Sequence, residues 1–261
     1  MKKLTQKNYF DKDREHISVS QLKDYMKDPS YYKRKHIDKD PKLEFKVTPN
    51  VCVGSMVDEL LTTPDEEPQY VKKVLKKDDS DEFYRQKEME DRYVLGATYF
   101  DKGMDMVEEL KRQPVWTDHI DTAQFQVLLE GELEGLKVCG LADRIDKVDG
   151  KLKLIDLKVT NPARNETGIR WHYHCIAMRY FHQLALYQHL YAEMKGIDKE
   201  AISCAHVTIA NVSAGLNQVK AFNIGQDKLD VAFEEVREAL RGIKDGHFDP
   251  KLTTWHEVEE I

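Results

Sequence analysis

The chain has 261 residues, 41% of them hydrophobic and 33% charged, with a formal net charge of −7. Such a composition supports a buried core without staples and argues against disorder, while the acidic balance excludes a surface coated in positive charge but not a local basic patch. No apolar run approaches the length of a bilayer span, and the opening MKKLTQKNYF lacks the apolar stretch of an export signal, so a cytoplasmic protein forming one domain over 1–261 is expected. Cys52, Cys139, Cys175 and Cys204 show no CxxC spacing, which points to reduced thiols rather than a zinc knuckle or a disulfide framework.

In SVSQLKDYMKDPSYYKRKHI, a serine cap followed by Leu22, Tyr25 and Met26 predicts a short helix from about Ser20 that stops before Pro29. VCVGSMVDELLTTPDE places Val53, Val57, Leu60 and Leu61 on one helical stripe ending before Pro64, with Asp58 at its edge. Residues 80–113 are charged and helix-prone, and read as a solvated helical layer. From Thr122 the character changes. Runs rich in Val, Leu and Ile, separated by Glu134-Gly135 and Asp149-Gly150, predict three antiparallel strands. A long helix is expected from about His172 to Lys195, closed by Gly196, then a strand in SCAHVTIAN. A final amphipathic helix over Asp227–Lys244 carries Leu229, Phe233, Val236, Leu240 and Ile243 at helical spacing. Together these give an α/β (α+β) layout around one mixed sheet.

The Asp149-Gly150 pair between alternating apolar residues is the strongest local signal, that of a two-residue hairpin turn. Counting outward from it sets Val148 opposite Lys151 and Asp143 opposite Asp156. Carboxylates in such positions share a sheet face and repel unless something neutralises them, and a divalent cation is the obvious candidate. Lys158, two residues beyond Asp156, points to the same face. The competing reading makes both acids exposed strand residues paired with Arg144, Lys147 or Lys158, against which stand the apolar neighbours in GLA and LIDL.

The segments GLADRID and LIDLKVT resemble the core of the PD-(D/E)XK nucleases, with Asp143 as the first acid and Asp156-Leu157-Lys158 as the D-x-K element. Ser18–Ile37 is similar to the opening block of RecB-type nucleases, GSMVDELLTTPDE to a helix of RecE-type (exodeoxyribonuclease VIII-like) exonucleases, and Gln183 with Tyr187 to the Q-x-x-x-Y helix. The resemblance implies a restriction-endonuclease-like core. It also implies a Mg²⁺- or Mn²⁺-dependent exodeoxyribonuclease, 5′ to 3′, of the phage or prophage recombination type, acting on linear duplex ends. Asp143, Asp156, Lys158, Gln183 and Tyr187 would be catalytic, and Asp58, Asp143 and Asp156 would hold the metal. A single-strand annealing recombinase and further copies of the chain are the partners to test; a membrane is not among them.

Two departures bear on the metal. Asp58 stands where the family has histidine, and Gln124 or Gln126 where it has a glutamate. Asp28 occupies the place of a cluster cysteine found in some relatives, so no iron–sulfur cluster is expected. The alternative is a nuclease fold that binds DNA or a partner but has lost turnover. Lys33, Arg34 and Lys35, interleaved with Tyr31 and Tyr32, and Arg164, Arg170 and Arg179 beyond the D-x-K strand, are candidate phosphate contacts.

Overall fold

The computed structural model describes residues 4–6, 9, 14–44, 48–63, 70–73, 93–148, 150–213 and 215–250. Near the N-terminus, β1 (Ile17–Ser18) leads into α1 (Val19–Lys27) and α2 (Pro29–Tyr32), followed by α3 (Pro49–Thr62). Next come β2 (Tyr70–Lys73), β3 (Tyr93–Gly96), α4 (Ala97–Leu110) and α5 (Pro114–Thr117). The strands β4 (Gln124–Leu133), β5 (Leu136–Val148) and β6 (Lys151–Thr160) follow, then α6 (Pro162–Asn165), α7 (Gly168–Met178) and α8 (Tyr180–Lys195). The last elements are β7 (Ile202–Ser213), β8 (Leu216–Ile224) and α9 (Gln226–Lys244).

Six strands form one mixed sheet in the order β1-β5-β6-β7-β8, with β4 along the other side of β5. β4, β5 and β6 pair antiparallel as the turn residues imply. Glu134 and Gly135 both carry positive φ, 53° and 75°, the pattern of a tight hairpin turn; Asp149 lies outside the described residues. β6 then runs parallel to β7, which turns back into β8.

Alternation along β6 assigns its two faces. Leu154 packs into a core with Leu22 of α1, Trp171 and Cys175 of α7, Leu184 and Leu190 of α8, and Val236 and Leu240 of α9. Ile155 and Leu157 face the other way, into a second core with Val53, Met56 and Val57 of α3, Met106 and Leu110 of α4, and Trp116 of α5. Helices therefore cover both faces, and Leu154 to Leu157 are buried in succession.

Four points depart from expectation. The helix foreseen over His172–Lys195 is two helices, because Arg179 adopts a left-handed conformation (φ 52°, ψ 41°) while its guanidinium donates to Met26 O at 3.2 Å. No glycine or proline announces the break; a tertiary contact holds it. Within 80–113, residues 80–92 lie outside the described residues, and Tyr93–Gly96 is a strand parallel to β2 rather than helix. β8 was not foreseen, since LNQVKAFNI lacks a clean two-residue alternation of apolar side chains. The helix starting at Ser20 in expectation begins at Val19, with Ser18 and Gln21 forming a capping box.

Arg144 is buried and donates to Asp146 Oδ1 at 2.6 Å, to Asp118 O at 2.7 Å and to Trp116 O, with its guanidinium over the Trp116 ring. It therefore does not partner Asp143 or Asp156. Removing one member of such a pair strands the other as a buried charge, at a cost of about 3–5 kcal/mol. Urea unfolding should show Arg144→Ala destabilised by that order, with the Arg144→Ala, Asp146→Ala double variant losing less than the sum of the single changes. A loss below about 1 kcal/mol would contradict this account of the pair.

Candidate active site

The β5–β6 ladder follows the expected register from Val148↔Lys151 to Arg144↔Ile155 and then stops. Asp143 and Asp156 are the next positions on each strand, so they do not form the foreseen cross-strand pair. Beyond the stop β6 continues along β7, while β5 stays with β4 and takes up β1 at Val138 and Cys139. The sheet forks there. Asp143 reaches across the fork, its Oδ2 accepting from Leu157 N at 2.7 Å, which replaces the ladder bond that β6 has lost.

Asp156 stands on the other prong, 1% exposed. Its Oδ1 accepts from Lys158 Nζ at 2.5 Å and from Gln183 Nε2 at 2.8 Å, while Oδ2 is buried with no hydrogen-bond partner. Gln183 and Tyr187, one turn apart on α8, face the fork together. The Gln183 amide lies 3.5 Å from the Tyr187 hydroxyl. The Tyr187 ring lies flat against β5 because Gly140 has no side chain; a Cβ there would sit 2.2 Å from Tyr187 Cε1.

Asp58 enters from α3. Gln126 Nε2 donates to its Oδ2 at 3.3 Å and to Thr62 Oγ1 at 2.8 Å, leaving Asp58 Oδ1 buried and unpartnered. Gln126 occupies a left-handed conformation (φ 47°), a kink in β4 between the paired positions Phe125 and Val127. Gln124, the other candidate at this place, is exposed opposite Ile145 and has no described contact with the site, so the kink gives Gln126 that role.

The electrostatics are those of acids crowded out of water. Burial, then Asp58 and Asp156, push the Asp143 carboxyl well above the usual carboxylate range. Burial lifts Asp58 to about 6, against the pull of Lys158 and with the push of Asp156. Burial would lower Lys158, but Asp156 and Asp143 outweigh it and hold the ammonium charged.

Two site residues carried no expectation. His206 of β7 pairs with Asp156 in the parallel register and places Nε2 3.5 Å from Asp156 Oδ2. It is packed among Trp171, Tyr180 and Phe181, and burial lowers it to about 4 despite Asp156, so it is a neutral imidazole. A histidine inside the apolar run SCAHVTIAN was the available signal. Lys23 of α1 donates to Gln183 Oε1 at 3.1 Å, and burial with the like charge of Lys158 lowers it to about 7. Its place in an amphipathic helix looked like a solvated position.

The basic candidates divide. Arg164 contacts His174, whose ring packs edge-on against Tyr180, and so stands near the fork. Arg170 is on the surface with Glu166, and Arg179 is held by Met26 O and lies 3.8 Å from Glu235. Lys33, Arg34 and Lys35 are each matched by an acid, Asp38, Asp40 and Asp24, so the expected basic face is locally neutralised. All four cysteines are buried and none forms a disulfide.

Among the described residues, no three His, Cys, Asp or Glu side chains stand in a ready-made ligand cluster. The donors nevertheless suit a hard divalent cation: three mutually repelling carboxylates, two of them with an orphaned buried oxygen, and no thiol.

A match to the PD-(D/E)XK nuclease superfamily runs over residues 16–255. No curated protein sequence matches the chain. The crystal structure of a "Putative exonuclease" from Eubacterium rectale superposes with a TM-score of 0.68 at 19% identity, covering 96% of this chain and 90% of that one. The shared architecture, a mixed sheet flanked by helices, is the restriction-endonuclease-like layout that the motifs implied. The structure of SSO0001 overlaps 56% of this chain and 60% of its own, with a TM-score of 0.31 at 16% identity, too slight a likeness to argue from. No helix among the described residues is long and apolar enough to cross a membrane.

A raised carboxyl fixes the sign of a pH effect. Asp58 favours the folded state fully below its ordinary value near 3.8, and that contribution is lost as the pH rises through about 6. Asp58→Asn keeps an acceptor for Gln126 without the charge. In chelator-treated protein it should gain roughly 1–3 kcal/mol at pH 8 and nothing at pH 4, read from urea midpoints at the two pH values. An equal effect at both would show that Asp58 is not a strained acid.

Proposed function

The chain belongs to the PD-(D/E)XK nuclease superfamily, and from that premise we propose that it hydrolyses DNA phosphodiester bonds at the β5–β6 fork with the help of Mg²⁺ or Mn²⁺. The observation that carries the reading is the orphaned oxygen on each of Asp58 and Asp156, buried beside Asp143 and next to a lysine held charged. Asp58, Asp143 and Asp156 would hold the cation. When bound, it supplies neutralisation of phosphate charge and a more acidic water.

The chain's own residues have separable tasks. Lys158, kept protonated by Asp156, presents a positive charge to the phosphate and orients the attacking water. Gln183 fixes Asp156 through Oδ1, while the neutral His206 stands beside Oδ2 at 3.5 Å without a hydrogen bond to it. Asp143 ties the two prongs together through Leu157 N, so the carboxylates cannot drift apart without breaking a partly buried hydrogen bond. Tyr187 closes the back of the site against Gly140 and keeps bulk water from that side.

An exonuclease acting 5′ to 3′ on linear duplex ends, in phage or prophage recombination, is the specific form we favour. Its support is the RecE-type block at GSMVDELLTTPDE, of which Pro64 to Glu66 lie outside the described residues, and the exonuclease name of the Eubacterium rectale protein. One observation favours a second reading, a nuclease fold that binds without turnover: the neighbour of Asp58 is Gln126, an amide where the family carries an acid.

Linear and covalently closed duplex DNA incubated with Mn²⁺ separates these readings. The proposal expects loss of the linear substrate only. Asp156→Asn should abolish cleavage with the fold intact, and Lys158→Ala should slow it by roughly 10²–10⁴-fold. Asp58→Ala should demand more Mn²⁺ for the same rate. Cleavage unchanged in Asp156→Asn would remove the site from the reaction, and binding without cleavage in the parent protein would favour the second reading.

A further inference from the structure

We infer that Lys23 and Lys158, both close to the ring of Tyr180, form an anion site at the mouth of the fork that takes a backbone phosphate of a nucleic-acid strand. The choice of a nucleic-acid phosphate as ligand rests on the nuclease reading; the cation pair itself does not.

Lys23 differs from two other lysines of the N-terminal segment. Lys33 and Lys35 each sit 2.8 Å from a carboxylate oxygen. Lys23 has no carboxylate at ion-pair distance among the described residues, although Asp24 follows it in sequence. Asp24 is turned away and shared by Lys35 and His36, each at 2.8 Å. What Lys23 has instead is the Gln183 amide oxygen at 3.1 Å and the Tyr180 ring, whose centroid lies 4.9 Å from its Nζ. Lys158 Nζ lies 5.1 Å from the same centroid.

An ammonium drawn from water with no carboxylate in contact, and feeling the like charge of a second ammonium more strongly than the attraction of Asp156, is a net cost to the free protein. The aromatic ring offsets part of it. The same burial and like charge are what depress Lys23 to about 7. An anion bound by both lysines removes both penalties together. Lys158 is already committed to Asp156, so its charge is largely compensated; Lys23 feels Asp156 only at a distance and contributes the new contact. Arg164, against His174 beside Tyr180, adds a further positive group near the pair.

The competing role is a prop: Lys23 holding Gln183, and through it Asp156, without touching the ligand. Salt dependence tells the two apart, because each phosphate contact on duplex DNA lowers the slope of log K against log salt by about 0.9. The full chain in EDTA, with no metal and no turnover, is titrated into a labelled short duplex at several KCl concentrations, as wild type, Lys23→Gln and Lys23→Arg. Inorganic phosphate is the second probe, read as a rise in the thermal midpoint. Lys23→Gln should bind the duplex roughly 5- to 10-fold more weakly with a slope smaller by about 0.9, while Lys23→Arg keeps the wild-type slope. Stabilisation by inorganic phosphate that depends on Lys23, with an unchanged duplex slope, supports the anion site but assigns it to free phosphate and overturns the strand contact. Unchanged affinity, slope and phosphate response in Lys23→Gln overturn the site, as does a wild-type protein that binds neither probe. A duplex response that depends on Lys23, in a protein that cuts nothing with Mn²⁺, would leave this inference standing and sink the nuclease reading.

Discussion

Where β5 parts from β6, two neighbouring strands stop satisfying each other's backbone, and buried polar groups at such a split must find other partners. Asp143 supplies one by accepting from Leu157 N. That single bond keeps the prongs at a fixed spacing and commits a carboxylate to a place where Asp58 and Asp156 already crowd. A sheet with an unbroken ladder at this point would have side chains only above and below it. The fork gives them a third direction, into the gap, and every element around it is arranged to fill or line that gap.

Both layers of helices depend on it. From one face α8 brings Gln183 and Tyr187, and α1 brings Lys23; from the other α3 brings Asp58. Each is anchored by an apolar stripe in a different core, Leu22, Leu184 and Leu190 in one and Val53, Met56 and Val57 in the other. The break at Arg179 belongs to the same logic. Ending α7 there lets α8 start afresh at Tyr180, with Gln183 directed at Asp156, while α7 packs Trp171 and Cys175 behind His206. The cost of the arrangement is like charge held out of water, which a bound cation on the acids and a bound phosphate on the lysines would relieve together.

Much of this was legible in the sequence where local chemistry decides the outcome. The strand meander, the hairpin register down to Arg144 and Ile155, the final helix and the shared face of Gln183 and Tyr187 follow from turn residues and periodicity, which are local rules. That Asp143 lies near Asp156 and Lys158 was expected from the motif, but their direct cross-strand pairing, counted from the turn, is not what the strands form. The fork was not, because a ladder's end is set by what competes for the strand, here β1 returning from far away in sequence. Gln126 was preferred over Gln124 by a left-handed kink that a glutamine does not announce. His206 and Lys23 were hidden by their settings: one in a strand that pairs only through a crossover, the other in a helix whose polar side looked solvated. Long-range placement, not residue chemistry, is what the sequence withheld.

The most direct test of the central claim, that the carboxylates at the fork are gathered for a divalent cation, is anomalous scattering from a crystal soaked in Mn²⁺. The account predicts one strong peak shared by Asp58, Asp143 and Asp156, absent when the soak is repeated with Asp143→Ala. A map with no peak among those three acids, or a peak that persists without Asp143, would contradict it.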